Sequence, residues 1–228
     1  MDAVVFDLFG TLIPNLTWAS FDRASRDVAR LLGAPLPGLL SELEAQFPRR
    51  MTGEIPDGPD QFRPLCDALG IDPPRARLHA AAARWHAWLA SGMVPKHDAV
   101  ATLTALRERG VRLALASDCS SSTPDLLAAT PLDPFFEVCA FSARIGQQKP
   151  HAEMYRHVLG GLGVPGERCL FVGDGNSSEL PGAKAHGMTT VWVDNGSEQH
   201  WQVNFAPGGD HAVRELGEVV ALVDRFLS

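Results

Sequence analysis

Residues 3–11, with the sequence AVVFDLFGT, decide the fold of this chain. The run from Ala3 to Phe9 is mostly apolar and does not alternate with polar residues, which is typical of a strand that helices cover on both faces. Similar apolar runs recur at 111–116, 138–141, 169–172 and 189–193. Helical patterns that stop at glycines lie between them. Strands and helices that alternate in this way predict an α/β fold with a parallel sheet.

The segment between residues 14 and 93 interrupts this alternation. It shows no strand pattern, and Ala, Leu and Arg recur in it with prolines between the groups. The spacing predicts amphipathic helices at roughly 18–32, 39–47, 61–69 and 75–89. We therefore predict an α/β core from residues 1–13 and 94–228. Residues 14–93 are predicted to form an all-helical cap that is inserted after the first strand.

The composition limits the partners. The chain of 228 residues has 20 Lys and Arg against 27 Asp and Glu, a formal net charge of −7, and 45% hydrophobic residues. We expect no binding to nucleic acid or an anionic membrane, and an anionic substrate needs a local cationic group. No apolar stretch approaches the ~20 residues that span a bilayer, and the first residues lack the pattern of a signal peptide. With four widely spaced cysteines, these features predict a cytoplasmic protein with reduced thiols.

Polar residues follow the predicted strands where each strand ends. Asp7 follows the first strand, Ser117 and Asp118 follow the second, and Asp174 follows the run 169–172. Lys149 lies in the connection after residue 141. Because ligands of open parallel sheets bind beyond the carboxyl ends of the strands, we expect these side chains to converge on one site.

Each residue type at this predicted site suits phosphoryl chemistry. Asp7 and Asp174 would repel each other unless a cation lay between them, and carboxylate oxygens suit Mg²⁺. With its charge compensated by the metal and Lys149, Asp7 can attack phosphorus as a nucleophile. Ser117 can donate a hydrogen bond to a phosphate oxygen, and Gly10 allows the backbone to approach closely.

The order Asp-x-x-Gly-Thr, Ser, Lys-Pro, Gly-Asp resembles the haloacid dehalogenase (HAD) superfamily over about residues 4–193. The resemblance implies a Rossmann-like core with a helical cap after the first motif. It implies Asp7 as nucleophile and Ser117 and Lys149 as groups that stabilise the phosphate. It also implies Asp174 as a Mg²⁺ ligand, together with the backbone carbonyl of Phe9.

The chain also departs from this pattern. Phosphatases that it resembles usually have a second Asp at position 9, and Phe9 cannot transfer a proton. The dehalogenase branch has an aromatic residue there but uses no Mg²⁺, so Phe9 and Asp174 point to different branches. Asp118 stands where many relatives have Asn and is predicted either to replace the missing acid or to cap a turn. Glu179 stands where relatives usually have Asp. It is predicted either to reach a water on the metal through its longer side chain or only to favour the start of the following helix.

Further residues are predicted to contact the substrate. Gly10, Thr11, Ser117 and Lys149 lie in the motifs, with Thr11 expected to organise the loop near Asp7. Arg23 recurs with other arginines at helical spacing in the predicted cap. It could bind an anionic substrate group, or it could lie on a solvated helix face.

The sequence predicts a Mg²⁺-dependent hydrolase of a small phosphorylated molecule that works through an aspartyl-phosphate intermediate. One alternative is a 2-haloacid dehalogenase, in which Asp7 attacks carbon. Another is a catalytically weak ligand-binding protein with the same fold. A monomer and a homodimer are both compatible with the sequence.

Overall fold

The computed structural model describes residues 1–196 and 204–227, so the predicted core range 94–228 includes residues outside this description. Within the described residues, six parallel strands form one sheet in the order β3-β2-β1-β4-β5-β6. The strands are β1 (Ala3–Phe6), β2 (Arg112–Ser117), β3 (Val138–Phe141), β4 (Cys169–Gly173), β5 (Thr189–Val193) and β6 (His211–Val213). The predicted α/β parallel-sheet fold is confirmed.

The central strand β1 shows why its sequence does not alternate. Val4 and Phe6 belong to one buried hydrophobic cluster, and Ala3 and Val5 belong to a second cluster on the opposite face of the sheet. All four residues are fully buried. Since helices cover both faces, every position of the strand has to be apolar.

Helices of the core supply these two layers. They are α6 (Ala99–Glu108), α7 (Thr123–Ala128), α8 (Ser142–Ile145), α9 (Ala152–Leu162), α10 (Glu179–Lys184) and α11 (Glu218–Leu227). Helices α1 to α5 precede them in the chain and are described below. Leu103 of α6 and Val223 of α11 pack on the face of Val4. Tyr155 and Val158 of α9 pack on the opposite face, beside Val5.

The strand order places a crevice at the carboxyl end of β1. Val5 of β1 lies beside Ala114 of β2 and Phe171 of β4. The chain therefore extends the sheet to one side of β1 and later returns to extend it to the other side. Such a switch point is where open parallel sheets bind ligands.

The stretch between β1 and β2 contains the remaining helices, and we call residues 14–93 the helical insert. Its helices are α1 (Trp18–Leu32), α2 (Leu36–Ala45), α3 (Phe47–Met51), α4 (Arg63–Ala68) and α5 (Arg75–Ser91). They surround a third hydrophobic cluster whose buried members all lie between Ala24 and Trp88. This separate cluster supports the division of the chain at residues 13/14 and 93/94, which stays a prediction.

Some element boundaries differ from the sequence prediction. The first strand ends at Phe6 and not at Phe9, because the Leu8 carbonyl accepts the N–H groups of Leu12 and Ile13 in a tight turn. The predicted helix 39–47 is divided between α2 and α3. Pro48 lies in the first turn of α3, where its missing N–H is tolerated, whereas within a longer helix it would remove a hydrogen bond.

The helical insert is joined to the sheet edge by side-chain hydrogen bonds. The Asp57 carboxylate accepts the hydroxyl groups of Ser120 at 2.5 Å and Ser122 at 2.6 Å. Ser142 Oγ of the core donates to the Met51 carbonyl at 2.6 Å. These contacts hold the insert above the carboxyl ends of the strands. Among the described residues, no helix has the length and hydrophobicity needed to cross a membrane.

Candidate active site

Asp7 lies at the switch point, directly after β1. Its N–H donates to the Val172 carbonyl at 2.9 Å, which extends the pairing with β4 by one residue. The residue is only 5% exposed. Thr11 Oγ1 donates to Asp7 Oδ2 at 3.1 Å, and Lys149 Nζ donates to Asp7 Oδ1 at 2.6 Å. Thr11 therefore lies where it can orient Asp7, as the sequence analysis expected.

Lys149 is buried between two carboxylates. Its Nζ contacts Asp7 Oδ1 and Glu179 Oε2, and its backbone N–H donates to Asp118 Oδ1 at 2.9 Å. Burial alone would lower the pKa of the Lys149 ammonium group. The carboxylates of Asp7, Glu179 and Asp118 outweigh this effect and raise its pKa well above the ordinary value. Lys149 is therefore a permanent positive charge in the site.

Asp174 lies on the neighbouring strand end, after β4. Asn15 Nδ2 and Asn176 Nδ2 both donate to Asp174 Oδ2 at 2.8 Å. Gly10 approaches the same carboxylate with a φ of +84°, and a Cβ at this position would overlap the Asp174 carboxylate. The first motif needs its glycine for this close approach and for its backbone conformation.

Glu179 completes the acidic cluster at the start of α10. It is fully buried, its Oε2 contacts Lys149, and its Oε1 accepts the N–H of Gly175 at 3.0 Å. Burial and the nearby charge of Asp7 raise the pKa of Glu179 well above the ordinary value. In this arrangement Glu179 positions Lys149 as well as adding an acidic oxygen to the cluster.

The three acids suit a divalent metal ion. Asp7, Asp174 and Glu179 each offer a carboxylate oxygen within 4.8 Å of the others. Lys149 compensates one of these three charges, so two would remain uncompensated in a buried site. Burial raises the pKa of Asp7 to about 6, since the attraction of Lys149 is opposed by the charge of Asp174. Hard oxygen ligands and excess negative charge fit Mg²⁺.

Ser117 is the last residue of β2, and Asp118 follows it at the same edge. Ser117 is fully buried, and its hydroxyl group has no hydrogen-bond partner among the described residues. Asp118 Oδ2 also lacks a partner within that part of the chain. Burial raises the pKa of Asp118, although the charge of Lys149 opposes this. Asp118 lines the cavity, whereas Ser117 lies outside its wall.

A cavity of about 200 Å³ connects this edge with the helical insert. Asp7, Phe9, Asp118 and Lys149 contribute to its wall, as do residues of α1, α3 and α5. Among the predicted site residues outside the wall, Thr11 contacts Asp7 and Glu179 contacts Lys149. The cavity therefore opens onto the predicted nucleophile.

The structure does not favour the predicted role of Arg23. Its side chain is exposed on α1, outside the cavity wall. Spacing along the helix did not decide between a substrate contact and a solvated face, and the second reading fits its exposure. The substrate role of Arg23 stays an untested prediction.

Sequence reasoning missed the contacts that several cavity residues make. Asn15 and Asn176 hold Asp174, and their positions beside the motifs could have indicated this. Arg50 of α3 also lines the cavity, yet it is 4% exposed and donates to the side chain and the carbonyl of Gln61 at 3.0 and 2.9 Å. Burial lowers the pKa of Arg50 to about 10, although Asp57 opposes this. The sequence pattern does not single out Arg50, because the adjacent Arg49 is of the same type and is exposed.

The site lies at the switch point of a parallel sheet and is covered by an inserted helical unit. Its buried aspartate, with a lysine and a second aspartate beside it, is typical of a class of α/β hydrolytic enzymes. The family model for haloacid dehalogenase-like hydrolases matches residues 1–187. The chain belongs to this family, and the resemblance inferred from its motifs is confirmed. The predicted class of enzyme, a hydrolase, is confirmed with it.

Curated relatives and solved structures agree with this assignment. The chain is 29% identical over 203 residues to glyceraldehyde 3-phosphate phosphatase from Methanopyrus kandleri, covering 86% of this chain and 85% of that protein. It is 29% identical to protein CbbY from Rhodobacter capsulatus, over 95% of this chain and 99% of that one.

Two structural neighbours show the same fold. A HAD phosphatase from Thermococcus onnurineus has a TM-score of 0.67 at 23% identity, and each chain is covered to 98%. L-2-haloacid dehalogenase from Xanthobacter autotrophicus has a TM-score of 0.65 at 21% identity, again over 98% of both chains. The likeness therefore includes a phosphatase and a dehalogenase and extends across the core and the helical insert.

Proposed function

We propose that this protein is a Mg²⁺-dependent phosphatase that acts on a small phosphate ester through an aspartyl-phosphate intermediate. One observation carries the proposal. Asp7, a buried carboxylate that lines the cavity, lies 2.6 Å from the Lys149 ammonium group and within 4.8 Å of two further acids. Such a cluster of charges suits a metal and an anionic substrate together.

The metal would be held by Asp7, Asp174 and the carbonyl of Phe9, with Glu179 as a direct or water-mediated ligand. When bound, Mg²⁺ supplies positive charge that compensates the phosphate oxygens and the acidic cluster. The hydrogen bonds from Asn15 and Asn176 fix the orientation of the Asp174 carboxylate before the metal enters.

The remaining chemistry belongs to residues of the chain. A carboxylate oxygen of Asp7 attacks phosphorus, a new O–P bond forms, and the ester O–P bond breaks with its electron pair going to the leaving oxygen. Lys149 and the hydroxyl group of Ser117 stabilise negative charge on the phosphoryl oxygens. Water then attacks the phosphorus of the aspartyl-phosphate, which releases phosphate and restores Asp7.

The leaving oxygen needs a proton that Phe9 cannot supply. We infer that Asp118 replaces the missing acid, because it lines the cavity and its Oδ2 is buried without a partner in the described residues. General acids contribute about 10²–10⁴ in rate. A substrate with a good leaving group, such as an aryl or acyl phosphate, should therefore react faster than an alkyl phosphate.

Turnover of 4-nitrophenyl phosphate with and without Mg²⁺ tests the proposal. We expect phosphate release that stops with EDTA and is absent in Asp7→Asn. Asp22→Asn is the matched control, because Asp22 lies on α1 with its side chain 48% exposed. Undiminished turnover of Asp7→Asn would refute the proposed nucleophile.

Hydrolysis of a 2-haloacid is the second candidate. Phe9 favours it, because a halide leaves without a proton, and the cavity wall from the insert is largely apolar. Halide release from 2-chloropropionate that is insensitive to EDTA would decide for this reaction. Binding of phosphate esters without any turnover would instead identify a ligand-binding protein.

The wider setting is proposed from the same features. The partner is a small molecule and not nucleic acid or a membrane, and both a monomer and a homodimer remain compatible with the site. We also propose a cytoplasmic location, in keeping with the four cysteines, which are all free thiols.

A further inference from the structure

The part of the cavity that faces Asp7 from the helical insert has an apolar wall. We call this wall the apolar chamber and define it by Phe21, Leu43, Phe47, Trp85, Trp88 and Leu89. These side chains come from α1, α2, α3 and α5. A substrate whose phosphate lies at Asp7 and Lys149 must place its organic part against them.

Aromatic rings dominate the chamber and are fixed in place. The ring centroids of Trp85 and Trp88 are 4.6 Å apart, and the centroid of Phe21 lies 5.8 Å from that of Trp88. Trp88 Nε1 donates to Ser20 Oγ at 3.2 Å, so the one polar atom of this side chain already has a partner. The chamber is therefore a preformed apolar surface.

Three polar residues of the insert also line the cavity, and each forms hydrogen bonds within the protein. Asn15 donates to Asp174, and Asp57 accepts hydrogen bonds from Ser120 and Ser122. Arg50 donates to Gln61 through two nitrogen atoms, while its buried Nε has no partner among the described residues. The hydroxyl groups of a polyol would therefore leave water and gain few partners from the chamber, whereas an apolar group would gain contact at no such cost.

We propose that the substrate is a phosphate ester with an apolar, aromatic organic part, and that the apolar chamber selects it over polyol phosphates. This inference rests on the proposed phosphatase function. The same substrate class suits Phe9, because a phenolate leaves more readily than an alkoxide. The relative from Methanopyrus kandleri is named for a polar substrate, glyceraldehyde 3-phosphate, which differs from the substrate class proposed here.

Binding of phosphonates, which cannot be hydrolysed, tests the selection. Phenylphosphonate, 2,3-dihydroxypropylphosphonate and methylphosphonate are titrated into the full chain with Mg²⁺ by isothermal titration calorimetry. We expect phenylphosphonate to bind at least about tenfold more tightly than methylphosphonate, within the discrimination that an apolar pocket provides. The dihydroxypropyl compound should bind no more tightly than methylphosphonate. Equal or tighter binding of the dihydroxypropyl compound than of phenylphosphonate would overturn the inference.

A pair of variants locates the selection in the chamber. Leu89→Asn introduces an amide into the wall, and Ala87→Asn introduces the same group on the exposed side of α5. We expect Leu89→Asn to lower the binding affinity for phenylphosphonate about fivefold or more, while the affinity for methylphosphonate stays unchanged. Ala87→Asn should bind both ligands like the wild type. Equal losses for both ligands in Leu89→Asn, with a native circular dichroism spectrum, would contradict the assignment.

The two proposals fail in different ways. If all three phosphonates bind without preference, the chamber does not select and the phosphatase proposal is unaffected. If none of them binds, the phosphoryl site itself is refuted, and this inference falls with it. Because the wild-type series needs no variant, a folding defect in Leu89→Asn leaves the main test intact.

Discussion

The carboxyl edge of the sheet and the helical insert differ in what they bury. At the sheet edge the buried groups are charged, and Lys149 lies between Asp7 and Glu179. In the insert the buried groups are mainly hydrocarbon, and Trp85 and Trp88 form part of both its core and the cavity wall. Under the proposed function, the reacting groups and the selecting surface therefore come from separate segments of the chain. Changes at the edge should alter kcat, and changes in the insert should alter KM or stability.

Apart from the loss of the nucleophile Asp7, the largest effect is expected from Lys149, the central cation of the sheet edge. Lys149→Met removes the ammonium group that contacts Asp7 and Glu179. We expect kcat for 4-nitrophenyl phosphate to fall by about 10²–10³, the loss typical of one charge-stabilising donor. Lys184→Met is the control, because the Lys184 side chain is 64% exposed. A folded Lys149→Met protein with wild-type kcat would contradict the expectation that changes at the sheet edge alter kcat.

Metal binding should depend on pH through Asp7. Burial raises the pKa of Asp7 to about 6, so the carboxyl group is protonated below this pH and ionised above it. Because a ligand must be deprotonated to bind the metal, Mg²⁺ affinity should fall about tenfold from pH 7 to pH 5. Calorimetric titration with MgCl₂ measures this, and Asp7→Asn should lose the part of the dependence that comes from Asp7, whereas the part that comes from Glu179 should remain. Equal affinity at both pH values in the wild type would contradict the assignment of Asp7 as a ligand.

The hydrogen bonds that connect the helical insert to the sheet edge should affect KM more than kcat. Asp57→Asn removes the charge that accepts hydrogen bonds from Ser120 and Ser122 of the core. Weakening such charge-assisted bonds by about 1 kcal/mol corresponds to a rise in KM of about fivefold. Steady-state kinetics on 4-nitrophenyl phosphate check this, with the exposed Asp60→Asn as control. A fall in kcat with unchanged KM would place Asp57 in the chemistry.

The smallest effect on turnover is expected deep in the insert. Leu78 is fully buried in the hydrophobic cluster of the insert, away from the cavity wall. Leu78→Ala should lower the free energy of unfolding by about 2–5 kcal/mol, measured by urea denaturation. kcat should stay unchanged where the protein is folded. Val94→Ala, at a side chain that is 61% exposed, should change neither quantity.

The positions of most site residues at the sheet edge could be predicted from the sequence. Parallel strands fix where their carboxyl ends lie, so Asp7, Ser117 and Asp174 could be placed together from their positions after apolar runs. The structure brings these residues and Lys149 to one edge. Their catalytic and metal-binding roles stay predictions. Strand β6 was missed because three residues carry too little pattern for detection.

For the helical insert, the sequence predicted the helices but not how they are oriented. Helical spacing predicted α1 and α5 closely, but it did not show which face of each helix meets the cavity. Arg23 was proposed from spacing and is exposed, whereas Arg50 lines the cavity without any sequence signal. The packing of helices against one another decides these orientations, and packing depends on contacts between residues far apart in the chain.

The most direct test of the account is to trap the intermediate on Asp7. The protein is mixed with Mg²⁺ and a ³²P-labelled aryl phosphate and quenched in acid, in which an acyl phosphate survives. Peptide mapping should then locate the label on the peptide that contains Asp7, and the Asp7→Asn protein should carry none. Label on another residue, or steady product formation with no labelled peptide, would contradict the central claim.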